Sequence, residues 1–238
     1  GTPVPPVAKK IPVRIEQLGR VRTDDYHWMK DDNWQTVLRD PTVIKADVKE
    51  HLEAENAYRE AMMASTLPLQ AAMFEEMKGR IKQDDASVPQ RRNGWWYYQR
   101  YETGKQYPIL ARRKGSLEAP EAIILDGNER AKGHDFYSVG NLEVSPDGRW
   151  AAIAEDTVGR RQYQIRIKDL QTDEWLPTVL SDAEASLVWA DDNATLLYIR
   201  KDPQTLLGDK VYRHRRGTDP AQDTLVYEEQ DDSFYMGI

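Results

Sequence analysis

The sequence predicts a mainly β chain: part of a β-propeller preceded by an α-helical N-terminal extension. Three observations carry this. Leu142-Glu-Val-Ser-Pro-Asp-Gly-Arg-Trp-Ala-Ala-Ile-Ala-Glu-Asp156 reads as strand, tight turn, strand, and returns as Leu187-Val-Trp-Ala-Asp-Asp-Asn-Ala-Thr-Leu-Leu-Tyr-Ile-Arg-Lys201. The segments after each copy also repeat: Tyr163–Leu170 is answered by Lys210–Arg216, and Leu176–Leu180 by Thr224–Glu228. Four short strands recurring about every 45 residues is the spacing of propeller blades. Composition agrees, since seven Trp and twelve Tyr in 238 residues suit sheet packing better than a helical bundle. An ordinary meander with look-alike turns is the alternative. Repetition of the whole four-strand unit favours the propeller.

In chain order, residues 1–20 carry four prolines and basic side chains, which predicts an extended arm. Asp24-Asp-Tyr-His-Trp-Met-Lys-Asp-Asp32 sets one His among carboxylates, but its aromatics and the lack of a second His favour a packed, hydrogen-bonded segment over a metal site. Asp40-Pro41 has the form of an N-cap followed by Pro at the first helical position. Ile44, Val48, Leu52, Tyr58 and Met62 then come at helical spacing, with the methionines read as core packing. Ser65-Thr-Leu-Pro68 ends that helix and opens another through Leu69, Met73 and Met77, stopping at Gly79.

Residues 1–80 therefore form an arm and two helices that bury little alone and are expected to dock on something outside this chain. Gln83–Pro89 is polar and aperiodic, so 81–90 is the expected linker. Residues 91–238 come next as the propeller part, with blades at about 91–140, 141–184 and 185–230. Residues 231–238 would start a fourth. Asp147-Gly148 and Asp192-Asn193 are expected as two-residue hairpin turns, because both pairs tolerate positive φ. Three blades and one strand leave an open edge, so the expectation is the front part of a longer protein.

The chemistry-bearing residues exclude more than they suggest. No Gly-x-Ser-x-Gly elbow is present, and Ser145 and Asp147 read as turn residues. His27, His51, His134 and His214 form no pair at metal-ligand spacing, and His134-Asp135 reads as a surface loop. Arg91-Arg92, Arg112-Arg113-Lys114 and Arg213-His-Arg-Arg216 could meet anions, but solvated strand faces or edge guards are the preferred reading. No phosphate loop comes after a strand. No catalytic residue, metal or cofactor is expected. The formal charge of −7 argues against a general nucleic-acid binder, and no apolar run suits a membrane helix. With no cysteine and no evident leader, the expected home is cytoplasmic, or periplasmic if a signal is removed before Gly1.

The ordered segments Pro5-Pro-Val-Ala-Lys-Lys10, Asp24-Asp-Tyr-His-Trp28, Leu52-Glu-Ala-Glu-Asn-Ala-Tyr58 and Met77-Lys-Gly-Arg-Ile-Lys-Gln-Asp-Asp85 carry a further signal. So do Trp95-Trp-Tyr-Tyr-Gln-Arg-Tyr101, Val144-Ser-Pro-Asp-Gly148, Asp156-Thr-Val-Gly-Arg-Arg-Gln-Tyr163 and Gly217-Thr-Asp-Pro220. Together they resemble the N-terminal part of the prolyl oligopeptidase family of serine peptidases, in the branch that cuts short peptides after Arg or Lys. The resemblance implies a seven-bladed propeller capping a C-terminal α/β-hydrolase domain, on which the N-terminal helices would pack. It implies that the propeller limits entry to small peptides, and that the nucleophile, its His and Asp and the basic-side-chain pocket lie in that later domain. No position here matches any of them.

Overall fold

The computed structural model describes residues 1–238, which divide into two compact units at Ile81–Lys82. In the first unit, the arm is irregular only to residue 12. Strands β1 (Val13–Gln17) and β2 (Arg20–Asp24) then pair antiparallel, Val13 opposite Asp24. Leu18 and Gly19 make the turn at φ 53° and 72°. This hairpin corrects the expectation of an extended arm to residue 20. The prolines mask the alternation of Val13 and Ile15 ahead of a left-handed turn. The acidic segment after it is packed. Trp28 is buried and donates Nε1–H to the Lys9 carbonyl at 2.8 Å, while the His51 ring meets it edge-on at 5.9 Å.

Helix α1 (Trp34–Arg39) is additional to the sequence expectation, and Asp40-Pro41 caps something shorter than expected. Asp40 accepts from Thr42 N–H at 3.0 Å over a single 3-10 turn, Pro41–Val43. Ile44 and Lys45 are then extended (ψ 143° and 135°), so α2 (Ala46–Met63) starts afresh, with the Lys45 amide held by Asp31. A 3-10 turn at Ala64–Thr66 leads into α3 (Leu67–Gly79), with Pro in its first turn. The methionines expected in a core are open: Met62 is 45 % and Met63 47 % exposed, and of α2 and α3 only Val48 is buried. No helix is long and apolar enough to cross a membrane.

In the second unit, β3 (Gln90–Arg92), β4 (Trp95–Arg100), β5 (Ile109–Lys114) and β6 (Glu121–Asp126) form a sequential antiparallel sheet. Asn93 and Gly94 turn β3 into β4 at φ 47° and 81°. The short α4 (Gly127–Arg130) then leads to a seven-stranded sheet, again in chain order. Its strands are β7 (Ser138–Val144), β8 (Trp150–Asp156), β9 (Tyr163–Asp169), β10 (Glu174–Trp189), β11 (Thr195–Lys201), β12 (Gly208–Arg215) and β13 (Thr224–Glu228).

Two repeats thus share a strand. The first part of β10 pairs with β9 and the last part with β11, with register shifts around Ala183 and Asp182 at φ 53° where it changes partner. The sequence places a blade boundary there. No Gly or Pro interrupts Ser181–Ser186, so the ladder runs on and a bulge provides the bend. The repeated turns are also longer than two residues. Gly148 N–H reaches Ser145 O at 2.8 Å, Gly148 is left-handed at φ 77°, and the ladder resumes at Ser145 N to Trp150 O. Asn193 at φ 58° repeats the form. Asp147 explains the extra length, taking bonds from Ser145 Oγ and Arg149 N while Ser145 Oγ holds Trp150 N–H.

Face-to-face packing holds the sheets. Every residue of β8 is buried, and its alternating side chains serve two cores. Ala151 and Ile153 pack with Ile124, Leu125 and Val144 against the first sheet. Trp150, Ala152 and Ala154 pack with Ile165, Leu180, Leu187 and Tyr198 against the third repeat. First strands of successive repeats lie side by side. Asn141 Nδ2 donates to Ala185 O at 2.9 Å and Trp189 Nε1 to Glu143 O at 2.9 Å. Ser186 Oγ accepts from Ile238 N–H at 3.0 Å and donates to Ile238 O at 3.1 Å.

Candidate functional site

The side chains that could do chemistry sit mostly in structural roles. Ser145 is 1 % exposed and occupied by its turn. No serine hydroxyl bonds to a histidine, and no group of three or more His, Asp and Glu converges as metal ligands. His134 is exposed in the loop between α4 and β7. His27 and His51 lie 3.8 and 3.6 Å from Asp24 and Glu55.

His214 is different. It is fully buried on β12, and its Nδ1 lies 2.7 Å from Asp223 Oδ1. Asp223, 1 % exposed, also accepts the Tyr198 hydroxyl at 2.6 Å, and Arg200 donates to that hydroxyl at 2.6 Å. Burial and the Asp223 hydrogen bond push the Tyr198 phenol far above its ordinary range, so it stays a neutral donor. His214 Nε2 is buried with no partner. A His–Asp pair with a tyrosine looks like acid–base machinery, but His214 is fully buried and bonds to no serine or threonine hydroxyl. It ties the loop before β13 to the sheet. The sequence conceals it, because Asp223 is nine residues from His214 across a hairpin loop.

Glu155 forms a second buried cluster, 4 % exposed on β8. It takes two bonds from Arg130 at 2.8 Å and one from the Tyr137 hydroxyl at 2.8 Å. Burial, with Glu155 beside it, raises the Tyr137 phenol too. This fixes α4 to the sheet, and Arg130 stacks on Trp175 at 4.4 Å.

The basic clusters divide by strand alternation. Arg112 is 5 % exposed, donates to Gly148 O at 2.7 Å and stacks on Trp95 at 3.6 Å. Arg92 pairs with Glu143 at 2.7 Å. That pair flanks a cavity of about 500 Å³ at the first-strand edge, whose walls include Tyr97, Gln99, Leu110 and Leu142. Arg216 lies over Trp150 at 3.8 Å, whereas Arg213 and Arg215 point away from that core and are exposed. The buried arginines thus brace the sheets, and the exposed ones line open surface.

Comparison with known proteins agrees with that architecture. The family model described as "Prolyl oligopeptidase, N-terminal beta-propeller domain" matches residues 5–238. Dipeptidyl aminopeptidase BI of Pseudoxanthomonas mexicana is 48 % identical over 98 % of this chain and 33 % of its own length. Protease 2 of Moraxella lacunata is 33 % identical over 98 % of this chain and 33 % of its length. The chain thus spans about a third of the curated relatives it matches. Among solved structures, oligopeptidase B from Leishmania major superposes with a TM-score of 0.83 at 30 % identity, covering 96 % of this chain and 33 % of that one. Oligopeptidase B from Trypanosoma brucei, with covalently bound antipain in a closed form, gives 0.80 at 25 % identity, covering 95 % of this chain and 32 % of that one. With partial-propeller architecture and a match over nearly its whole length, the chain belongs to the prolyl oligopeptidase family as its N-terminal β-propeller region.

Proposed function

We propose that this chain is the N-terminal extension and propeller cap of a serine oligopeptidase that hydrolyses short peptides after Arg or Lys. One observation carries the reading: the likeness to oligopeptidase B structures runs through nearly the whole chain yet covers only a third of theirs. In this reading residues 1–80 pack on a C-terminal α/β-hydrolase domain, 81–90 form a hinge strand, and 91–238 begin the propeller. The open apolar side chains of α3, Leu69, Met73, Phe74 and Met77, supply the surface that such a domain would cover. The chain gives no catalytic residue. Its blades form part of a wall that admits small flexible peptides and excludes folded proteins, with domain opening as the gate.

A second reading has its own support. The relative at 48 % identity is a dipeptidyl aminopeptidase, which favours release of dipeptides from free amino termini. One experiment separates the two. The whole polypeptide is labelled with a fluorophosphonate and assayed on N-blocked Arg and Lys substrates, their free-amino dipeptidyl counterparts, and a folded protein. The first reading expects cleavage of the blocked basic substrates and none of the protein. Activity lost on blocking the amino terminus selects the dipeptidyl reading. Cleavage only after Pro refutes both, and a label mapping to residues 1–238 refutes the absence of a catalytic residue here.

A further inference from the structure

We propose that the third repeat carries an oxyanion-binding pocket built on the outward face of β12, independent of the peptidase reading. The sequence Arg213-His-Arg-Arg216 supplies it by alternation. His214 points into the core, and Arg213 and Arg215 project together from the opposite face. Register puts Thr195 opposite Arg215 and Thr224 opposite Arg213, so hydroxyls flank both guanidinium groups. Thr218 and Gln222 of the connecting loop complete a cavity of about 360 Å³.

The two arginines stand two residues apart on a strand, about 7 Å between Cα atoms. One phosphate or carboxylate group held between them can accept from both forks. Neither guanidinium makes an ion pair or hydrogen bond, although the −7 chain offers many carboxylates. Asp192 is the nearby acid that acts on Arg215, and its oxygens are already committed to Ala194 N, Thr195 N and Thr195 Oγ1. Asp219 is likewise turned to Ala221 N–H.

The loop wall is held from behind. Asp223, between Gln222 and Thr224, is anchored by His214 and Tyr198, and Thr218 Oγ1 binds Arg215 O at 2.7 Å. The buried His–Asp pair thus acts as the support of an exposed cationic pocket, which lowers the ordering cost of binding.

The test is thermal unfolding of the protein in 20 mM phosphate or 20 mM succinate against chloride at matched ionic strength. A dissociation constant of about 1 mM would raise the midpoint by about 4 °C. The double variant Arg213→Gln/Arg215→Gln should keep its chloride midpoint within about 2 °C and lose the response. As a second readout, the Arg213 and Arg215 Nε–H resonances should move with added anion. A response to phosphate alone assigns a phosphoryl ligand, and a response to succinate alone a carboxylate; both support the pocket. An equal shift in the double variant would reflect general exclusion of phosphate from protein surfaces, and overturns the proposal. So does a parent that ignores both anions, whatever the double variant's chloride midpoint.

Discussion

Asp223→Ala tests the buried network of the third repeat. The carboxylate is 1 % exposed and accepts two short bonds, from His214 at 2.7 Å and Tyr198 at 2.6 Å, with Arg200 3.9 Å away. Hydrogen bonds to a charged acceptor contribute about 1.5–3 kcal/mol each, and removal strands both buried partners. His214 would then have neither ring nitrogen paired, since Nε2 already lacks a partner. The expected loss is about 3–5 kcal/mol, as for a broken buried polar pair. Asp223→Asn keeps an oxygen for His214 but turns an amide donor toward Tyr198, whose oxygen already accepts from Arg200. That exchange should cost about 1–2 kcal/mol. Urea unfolding with unchanged slope is the assay. In a double-mutant cycle with Tyr198→Phe the losses should fall short of additive, because each single change removes the same bond. A loss below about 1 kcal/mol for the alanine variant, or equal losses for Asn and Ala, would refute this account.

Three other perturbations have defined outcomes. Gly140→Ala puts a Cβ 2.9 Å from that of Ala185 and into the Tyr163 ring, so it should destabilise by about 1–3 kcal/mol in thermal melts, with Tyr163→Leu relieving part of the loss. Arg112→Met removes the bond to Gly148 O and the stacking on Trp95; it should cost about 2 kcal/mol and speed hydrogen exchange in β3–β6. Arg149 holds the Asp169 carboxyl down at about 2, and Thr195 with two backbone amides does the same for Asp192. Both groups lie below their unfolded value of about 3.9, so their contribution is present above that pH and is lost as pH falls from about 4 toward 2. Urea midpoints across that window should fall less steeply in Asp169→Asn; an unchanged slope would reject the assignment.

The strand repeat and the helices of the first unit are legible because each rests on local chemistry: alternation, helical spacing, and turn residues with positive φ at Gly148 and Asn193. The partial propeller and the family are legible in the order of segments along the chain. The features that escape have non-local causes. Nothing near Ser181–Ser186 says that two repeats share a strand, because continuity depends on the partners that β9 and β11 present. The β1–β2 hairpin is hidden by prolines that belong only to the arm before it. Met62 and Met63 have core composition but stay open within residues 1–81. His214 and Asp223 meet across a loop, and the two faces of Arg213–Arg216 separate only once register is known.

The shared β10 sets how the molecule comes apart. Apart from the connecting chain through α4, the first sheet joins its neighbour through side chains, among them Ile153, Arg112, Arg92 and Lys168. The second and third repeats share the continuous strand β10, whose ladders to β9 and β11 shift register around Ala183. Pulling or heating can peel the first repeat away as one cooperative block, whereas the other two must yield together. Strain entering at residue 174 is carried by the same backbone to residue 189, from the outer rim of one repeat to the inner strand of the next.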